Sequence, residues 1–134
     1  MDDQKKLEKL TVFCIETAQK MLDEYQSIIP FGAHAYSDKN DIIMKCHQEK
    51  YSKDEWQNLI DHTADELRIL VKNENIFATV IVTLLESESE KGVGLQIETA
   101  QSAALFVYPC KKEEDKWVID EPEQLEMLIA ANVF

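Results

Sequence analysis

Glycine is scarce in this chain of 134 residues, which contains only Gly32, Gly92 and Gly94. A phosphate-binding loop needs several glycines close together, because its backbone approaches the phosphate in conformations that other residues resist. These three glycines cannot build such a loop, and the GxSxG and HExxH motifs of hydrolases do not occur either. The sequence therefore carries no signature of a nucleotide-binding or hydrolytic enzyme.

Cysteines and long apolar runs are also few. Cys14, Cys46 and Cys110 are widely spaced and form no CxxC pair, so neither a zinc knuckle nor a redox dithiol is indicated. The opening MDDQKKLEKL lacks the apolar region of a signal peptide, and no apolar run approaches the ~20 residues that span a bilayer. We expect a cytoplasmic, bacterial-type protein in a reducing compartment, without contact to a membrane.

Basic residues are outnumbered, 14 against 26 acidic ones, which gives a formal charge of −12. Nucleic-acid binding depends on Lys and Arg that displace counterions from phosphates, so we expect no nucleic-acid partner. Anionic membranes are disfavoured for the same reason. The charge permits attraction to a basic protein, although many soluble proteins are acidic only for solubility.

The length and a hydrophobic fraction of 45% suit a single domain over residues 1–134. Apolar residues at three- and four-residue steps predict a first helix from about Gln4 to Ile29, which Pro30 ends. Gly32 is expected to permit a tight reversal into a hairpin over 33–45 that turns at Ser37 to Asp41.

A second helix is predicted after Ser52, where Ser52 to Glu55 matches a capping box and Asn73 and Asn75 are candidate terminators. Further strands are predicted over 76–85, 93–99, 103–108 and 116–120, the second with one wet face that includes Glu98. Residues 121–131 are read as a short helix or, alternatively, as an extended tail ending at Phe134. This order predicts an α+β fold, with a mainly antiparallel sheet of about five strands and two long helices on one face.

Histidines are the first candidates for chemistry. His34 follows Pro30 at the corner between helix and strand, where it would line a pocket with Tyr36 and His47, or simply lie on a strand. Cys46 and His47 are adjacent, and adjacent strand residues point to opposite faces, so they are not expected to form a catalytic dyad. His62 and Glu66 are spaced for one helix face, which usually means a solvated surface. We expect no catalytic residue, no metal and no cofactor.

Two acidic runs are the second candidate site. Glu86, Glu88 and Glu90 alternate with serines, and Glu113, Glu114 and Asp115 form a continuous cluster. Both runs connect neighbouring predicted strands, so they are expected to share one end of the sheet. There they would either capture a basic protein or keep the hairpin tips soluble.

The stretches Ile29-Pro-Phe-Gly-Ala33, Gln96-Ile-Glu98 and Leu105-Phe-Val-Tyr-Pro109 resemble a group of small uncharacterised bacterial proteins. In that group a PFG element ends the first helix and a Pro-Tyr or Tyr-Pro step ends a late strand. The resemblance implies an α+β domain and brings no established activity. Proteins of this size and charge include immunity proteins for bacterial toxins, which is an analogy only.

Three functions are therefore left open by the sequence. The first is a non-enzymatic interaction module, of immunity or accessory type, that binds a basic protein through an acidic surface. The second is a small-ligand binder or enzyme with a pocket near His34. The third is a self-associating structural protein, such as a homodimer paired through edge strands.

Overall fold

The computed structural model describes residues 3–46 and 55–134, without the side chains of Lys45 and Cys46. The elements are α1 (Asp3–Tyr25), β1 (Phe31–Tyr36), β2 (Ile42–Cys46), α2 (Trp56–Asn73), β3 (Ile76–Glu86), β4 (Lys91–Thr99), β5 (Ala103–Glu113), β6 (Lys116–Ile119), a 3₁₀ turn (Glu121–Glu123) and β7 (Leu125–Leu128). The hairpin predicted over 33–45 is confirmed as β1 and β2. Ser52 of the predicted capping box lies outside the described residues.

The strands form one antiparallel sheet in the order β2-β1-β3-β4-β5-β6. The late strand β7 pairs with the first half of β5, beside the part that pairs with β6. The predicted α+β class, with an antiparallel sheet and two long helices, is confirmed. The sheet has seven strands among the described residues, where about five were expected.

Helix α1 ends at Tyr25, earlier than predicted, because Gln26 adopts a left-handed backbone with φ of 56°. Its apolar stripe, which includes Leu10, Cys14 and Ala18, packs on alternate residues of the central strands, such as Val80. These residues form the main core. No helix in the described part of the chain is both long and apolar enough to cross a membrane.

Helix α2 packs on the other face of the sheet, which differs from the predicted placement of both helices on one face. Ile81 lies between Val80 and Val82 in β3, and it packs with Ala64 and Leu67 of α2 instead of with α1. Because successive strand residues point to opposite faces, the two helices sandwich the sheet.

Gly32 explains how closely α2 approaches the sheet. A Cβ at Gly32 would lie 2.7 Å from Thr63 Cγ2 and 3.3 Å from Leu67 Cδ1. No described glycine has a positive φ, so the predicted role of Gly32 in a tight reversal is corrected. It is the absence of a side chain that matters here, because it leaves room for the helix.

The predicted helix over 121–131 is not formed. Pro122 lies within the 3₁₀ turn, and the residues after Gln124 pair with the edge of β5 that β6 leaves uncovered. Strand pairing satisfies the backbone groups of this edge, which a helix would not do. The alternative of an extended tail is therefore the correct one, and it ends with Val133 buried against α2.

Candidate functional site

The sheet register brings the two acidic runs to the same end of the molecule. Glu86 pairs with Lys91 at the β3–β4 hairpin, and Lys91 in turn pairs with Cys110 near the end of β5. The β5–β6 hairpin extends beyond that point to the pair of Glu113 and Lys116. Two strand spacings, roughly 10 Å, separate the two hairpins across the sheet.

Helix α1 ends at this same end of the sheet. Lys91 Nζ donates a hydrogen bond of 2.8 Å to the carbonyl of Gln26, just beyond the helix. Asp23 and Glu24 are exposed in the last turn, which has no basic residue. The negative end of the helix dipole therefore adds to the charges of the hairpins. We name this surface the acidic end, and it comprises Asp23, Glu24, Glu86, Glu88, Glu90, Glu113, Glu114 and Asp115.

Two lysines of this region face their own protein. Lys91 lies 3.5 Å from a carboxylate oxygen of Glu86, and its side chain is 17% exposed. Its Nζ also lies 5.1 Å from the centre of the Trp117 ring, with Lys112 Nζ 5.9 Å from the same ring. Such cation–π contacts hold a cation over an aromatic face. The eight carboxylates of the acidic end outnumber the four lysines of the two hairpins, Lys91, Lys111, Lys112 and Lys116, so the surface keeps a net negative charge.

The tip of the β5–β6 hairpin has an unusual backbone. Glu114 and Asp115 both have positive φ, 49° and 69°, as in a two-residue type I′ turn. Gly is favoured at such positions because it has no Cβ, and Asn and Asp tolerate them better than other residues do. Glu114 thus occupies a position at which it reduces local stability, and Asp115 one at which Gly would be more favourable.

His34 and Tyr36 form a pair on the α2 side of β1. His34 is 1% exposed, and its Nε2 lies 3.4 Å from the Tyr36 hydroxyl. That hydroxyl donates to Glu74 Oε1 at 3.3 Å. The pair lies toward the Tyr36 end of β1, whereas Phe31 at the other end pairs with Val82 on the side of the acidic end. The structure therefore separates the two groups of candidate residues.

The pocket predicted near His34 stays a prediction, because His47 lies outside the described residues. His62 Nε2 lies 3.4 Å from Glu66 Oε1 on α2, as the spacing predicted. Among the described side chains, no group of three or more His, Cys, Asp or Glu residues is placed to hold a metal ion.

Burial raises the pKa of the Cys14 thiol to about 12. Burial also raises the pKa of Cys110 to about 11, although the nearby Lys91 opposes this shift. A thiol acts as a nucleophile in its thiolate form, so neither cysteine is activated near neutral pH.

Glu98 is a buried anchor that sequence reasoning missed. It was predicted on a wet face of its strand, but it is 1% exposed. Its Oε1 accepts hydrogen bonds from the backbone N–H groups of Asn132 at 2.8 Å, Val133 at 2.9 Å and Phe134 at 3.4 Å. Gln96 Nε2 donates to Oε2 at 2.8 Å. The alternating pattern of the strand gave no signal of this role, because the covering segment lies more than thirty residues away.

Comparison of the chain with protein-family models, with curated proteins and with solved structures finds no match. The resemblance to small bacterial proteins with a PFG element therefore stays a prediction. Any functional conclusion depends on the geometry of the chain itself.

Proposed function

We propose that this protein is a non-enzymatic interaction module that binds a basic protein through its acidic end. The observation that carries the proposal is the sheet register, which brings two acidic hairpin tips to one end of the sheet, where Lys91 also contacts the end of α1. An immunity-type or accessory role in the bacterial cytoplasm is consistent with such a module. The two free described cysteines fit a reducing compartment.

Electrostatic complementarity of this kind acts mainly on the rate of association and on partner choice. Complementary charges raise association rates far above those of neutral surfaces, and salt screens the effect over about 10 Å at 0.1 M. The turn at Glu114 and Asp115 supports the proposal, because residues that oppose local stability are often kept for a function.

Two charge-matched variants test the proposal. The first neutralises the acidic end and carries Glu88→Gln, Glu90→Gln, Glu113→Gln, Glu114→Gln and Asp115→Asn. The control carries five substitutions at exposed acids elsewhere: Glu8→Gln, Glu16→Gln, Asp41→Asn, Asp61→Asn and Glu126→Gln. Both change the formal charge from −12 to −7, because each removes five negative charges.

Immobilised wild-type protein and both variants are exposed to lysate of the native host, and retained proteins are compared by mass spectrometry. We expect at least one basic protein to be retained by the wild type and the control but lost from the acidic-end variant. Its retention should fall steeply between about 0.05 M and about 0.5 M NaCl. Equal loss from both variants, or retention that salt leaves unchanged, would contradict the proposal.

A further inference from the structure

Part of the sheet face that carries α2 is not covered by the residues that the structure describes. Helix α2 packs over β1 and β3, whereas the same face continues across β4, β5 and β7. Three apolar side chains there are strongly exposed: Leu85 by 40%, Leu125 by 63% and Met127 by 49%. Leu85 and Leu125 line one cleft, and exposed apolar residues that share a surface commonly mark an interaction site.

A cleft of about 400 Å³ lies in this open face, directly beside the acidic end. Its apolar walls are Leu85, Val107, Pro109 and Leu125, and Gly92 lies between them. A Cβ at Gly92 would meet the Tyr108 carbonyl at 3.4 Å and Val107 Cγ1 at 3.7 Å, which are ordinary contacts. The backbone therefore does not require glycine here, and the missing side chain contributes open space to the cleft.

The rim of the cleft is polar and acidic. It includes Glu86, Ser87, Glu90 and Lys91. Lys91 is directed to Glu86 and to the carbonyl of Gln26, so its charge is partly neutralised within the protein. An apolar cleft with carboxylates at its edge is complementary to an apolar side chain that has cations beside it.

A second copy of this chain is a poor occupant. A two-fold interface brings the same surface of both subunits together, so each acidic rim would face its own copy. With a net charge of −12 on each chain, that contact is repulsive. A small apolar molecule would gain nothing from the carboxylates at the rim.

The geometry points to a basic protein segment in which one large apolar side chain is flanked by Lys or Arg. The apolar side chain fills the cleft between Leu85 and Leu125, and the flanking cations contact Glu86, Glu90 and the neighbouring hairpin tip. This inference rests on the proposed function, and it adds the chemistry of the partner segment that the acidic end selects.

Three synthetic peptides test the inference: Lys-Lys-Phe-Lys-Lys, Lys-Lys-Ala-Lys-Lys and Glu-Glu-Phe-Glu-Glu, each with blocked ends. Binding is followed by amide chemical shifts of the isotope-labelled full chain. We expect the first peptide to shift the amides of Leu85 and Gly92 as well as the hairpin tips, and the second to shift the tips alone. Burial of the phenyl ring should strengthen binding about tenfold.

Variants of the protein test whether the phenylalanine of the peptide lies in the cleft. Leu125→Ala removes a wall of the cleft, while its matched control Leu128→Ala alters the same strand at a side chain that is 84% exposed and does not line the cleft. We expect Leu125→Ala to abolish most of the tenfold difference between the Phe and Ala peptides, and Leu128→Ala to preserve it. Gly92→Val should act like Leu125→Ala by filling the cleft.

The outcomes separate the two proposals. If the alanine peptide shifts the hairpin tips but phenylalanine adds nothing at Gly92, the inference fails and the proposed function stands. If neither basic peptide shifts the tips, the proposed function fails as well. Equal binding of the acidic peptide at the cleft would show a purely apolar site, and concentration-dependent shifts without peptide would show a second copy; either result overturns the inference.

Discussion

Glu98 connects the last residues of the chain to the sheet. Its carboxylate accepts from three successive backbone N–H groups, and Arg68 of α2 holds the same segment from the other side through the carbonyl and side-chain oxygens of Asn132, each at 2.6 Å. Val133 and Phe134 then pack with α2. One buried side chain thus completes the core beneath the second helix.

We expect Glu98→Ala to lower the free energy of unfolding by about 3 kcal/mol, because it leaves the buried N–H of Val133 without its acceptor. Gln96→Ala is the matched control, since it removes only the hydrogen bond from Gln96 Nε2 and should cost about 1 kcal/mol. Urea unfolding measures both. Equal losses for the two variants would show that Glu98 does not anchor the segment.

Cys14 makes the stability of the folded protein depend on pH in the alkaline range. Its pKa is about 12 in the folded protein and 9.0 in its ordinary state, so the folded state binds more protons between these values. The free energy of unfolding should therefore be unaffected by this group below pH 9 and should fall as the pH rises from about 9 to about 12.

The variant Cys14→Val should make this decline shallower, by at most about 1.4 kcal/mol per pH unit. The half-buried Cys110, with its pKa raised to about 11, contributes in the same direction, so Cys110→Ser is the comparison. Urea unfolding at a series of pH values measures the slopes. If Cys14→Val leaves the slope of the unfolding free energy against pH unchanged, Cys14 is not the cause of the alkaline loss of stability.

Among the elements, the contact of α2 with β1 is set by Gly32. We expect Gly32→Ala to destabilise the protein by about 1–3 kcal/mol, because the new methyl group meets Thr63 Cγ2. In a Thr63→Ser background, which removes that methyl group, the cost should fall by more than half. Gly92→Ala, whose Cβ has only ordinary contacts, should be close to neutral.

This double-mutant cycle is measured by urea unfolding, and the coupling isolates the contact between the two positions. Additive costs for Gly32→Ala and Thr63→Ser would mean that α2 does not approach β1 as closely as the structure shows.

The β5–β6 turn is the element at which stability and the proposed function oppose each other. Glu114→Asn with Asp115→Gly places favoured residues at both positive-φ positions and should raise the melting temperature, with a gain of about 1 kcal/mol. The same change should weaken binding of a basic partner. Glu88→Asn with Ser89→Gly is the control, because that hairpin has no positive φ and should gain no stability.

At the scale of the whole molecule, eight of the 26 acidic residues lie at the acidic end. We expect the melting temperature of the wild type to rise between about 0.02 M and about 0.5 M NaCl, because salt screens repulsion among the crowded carboxylates. The acidic-end variant should show a smaller rise than the charge-matched control. Equal salt dependence of the melting temperature in both variants would mean that the total charge, and not its position, determines the effect of salt.

Self-association also belongs to this scale, and it stays a prediction. The strand β7 lies at the edge of the sheet, and all four of its residues are exposed. Edge strands of this kind are sites at which other strands can pair. Light scattering over a concentration series measures directly whether the protein self-associates.

The sequence by itself determined the elements whose signals are local. The apolar stripe of α1, the turn-forming residues between β1 and β2, and the alternation in the strands predicted an α+β fold, because each depends on residues a few positions apart. The same reasoning placed the two acidic runs in hairpins between neighbouring strands. Short connections place β3 to β6 side by side in chain order, whereas the place of β3 beside β1 and of β7 beside β5 depends on the tertiary structure.

Only the tertiary structure decided the rest, because those features depend on contacts between distant residues. The face on which α2 packs follows from the space at Gly32, and the burial of Glu98 follows from a segment that returns across the sheet. The region after Gln124 is a strand because β5 offers it an unpaired edge, which overrides local helical periodicity. The register likewise brings the two hairpins to one end of the sheet, and the hydrogen bond from Lys91 to Gln26 joins the end of α1 to them, so that separate acidic runs become one surface.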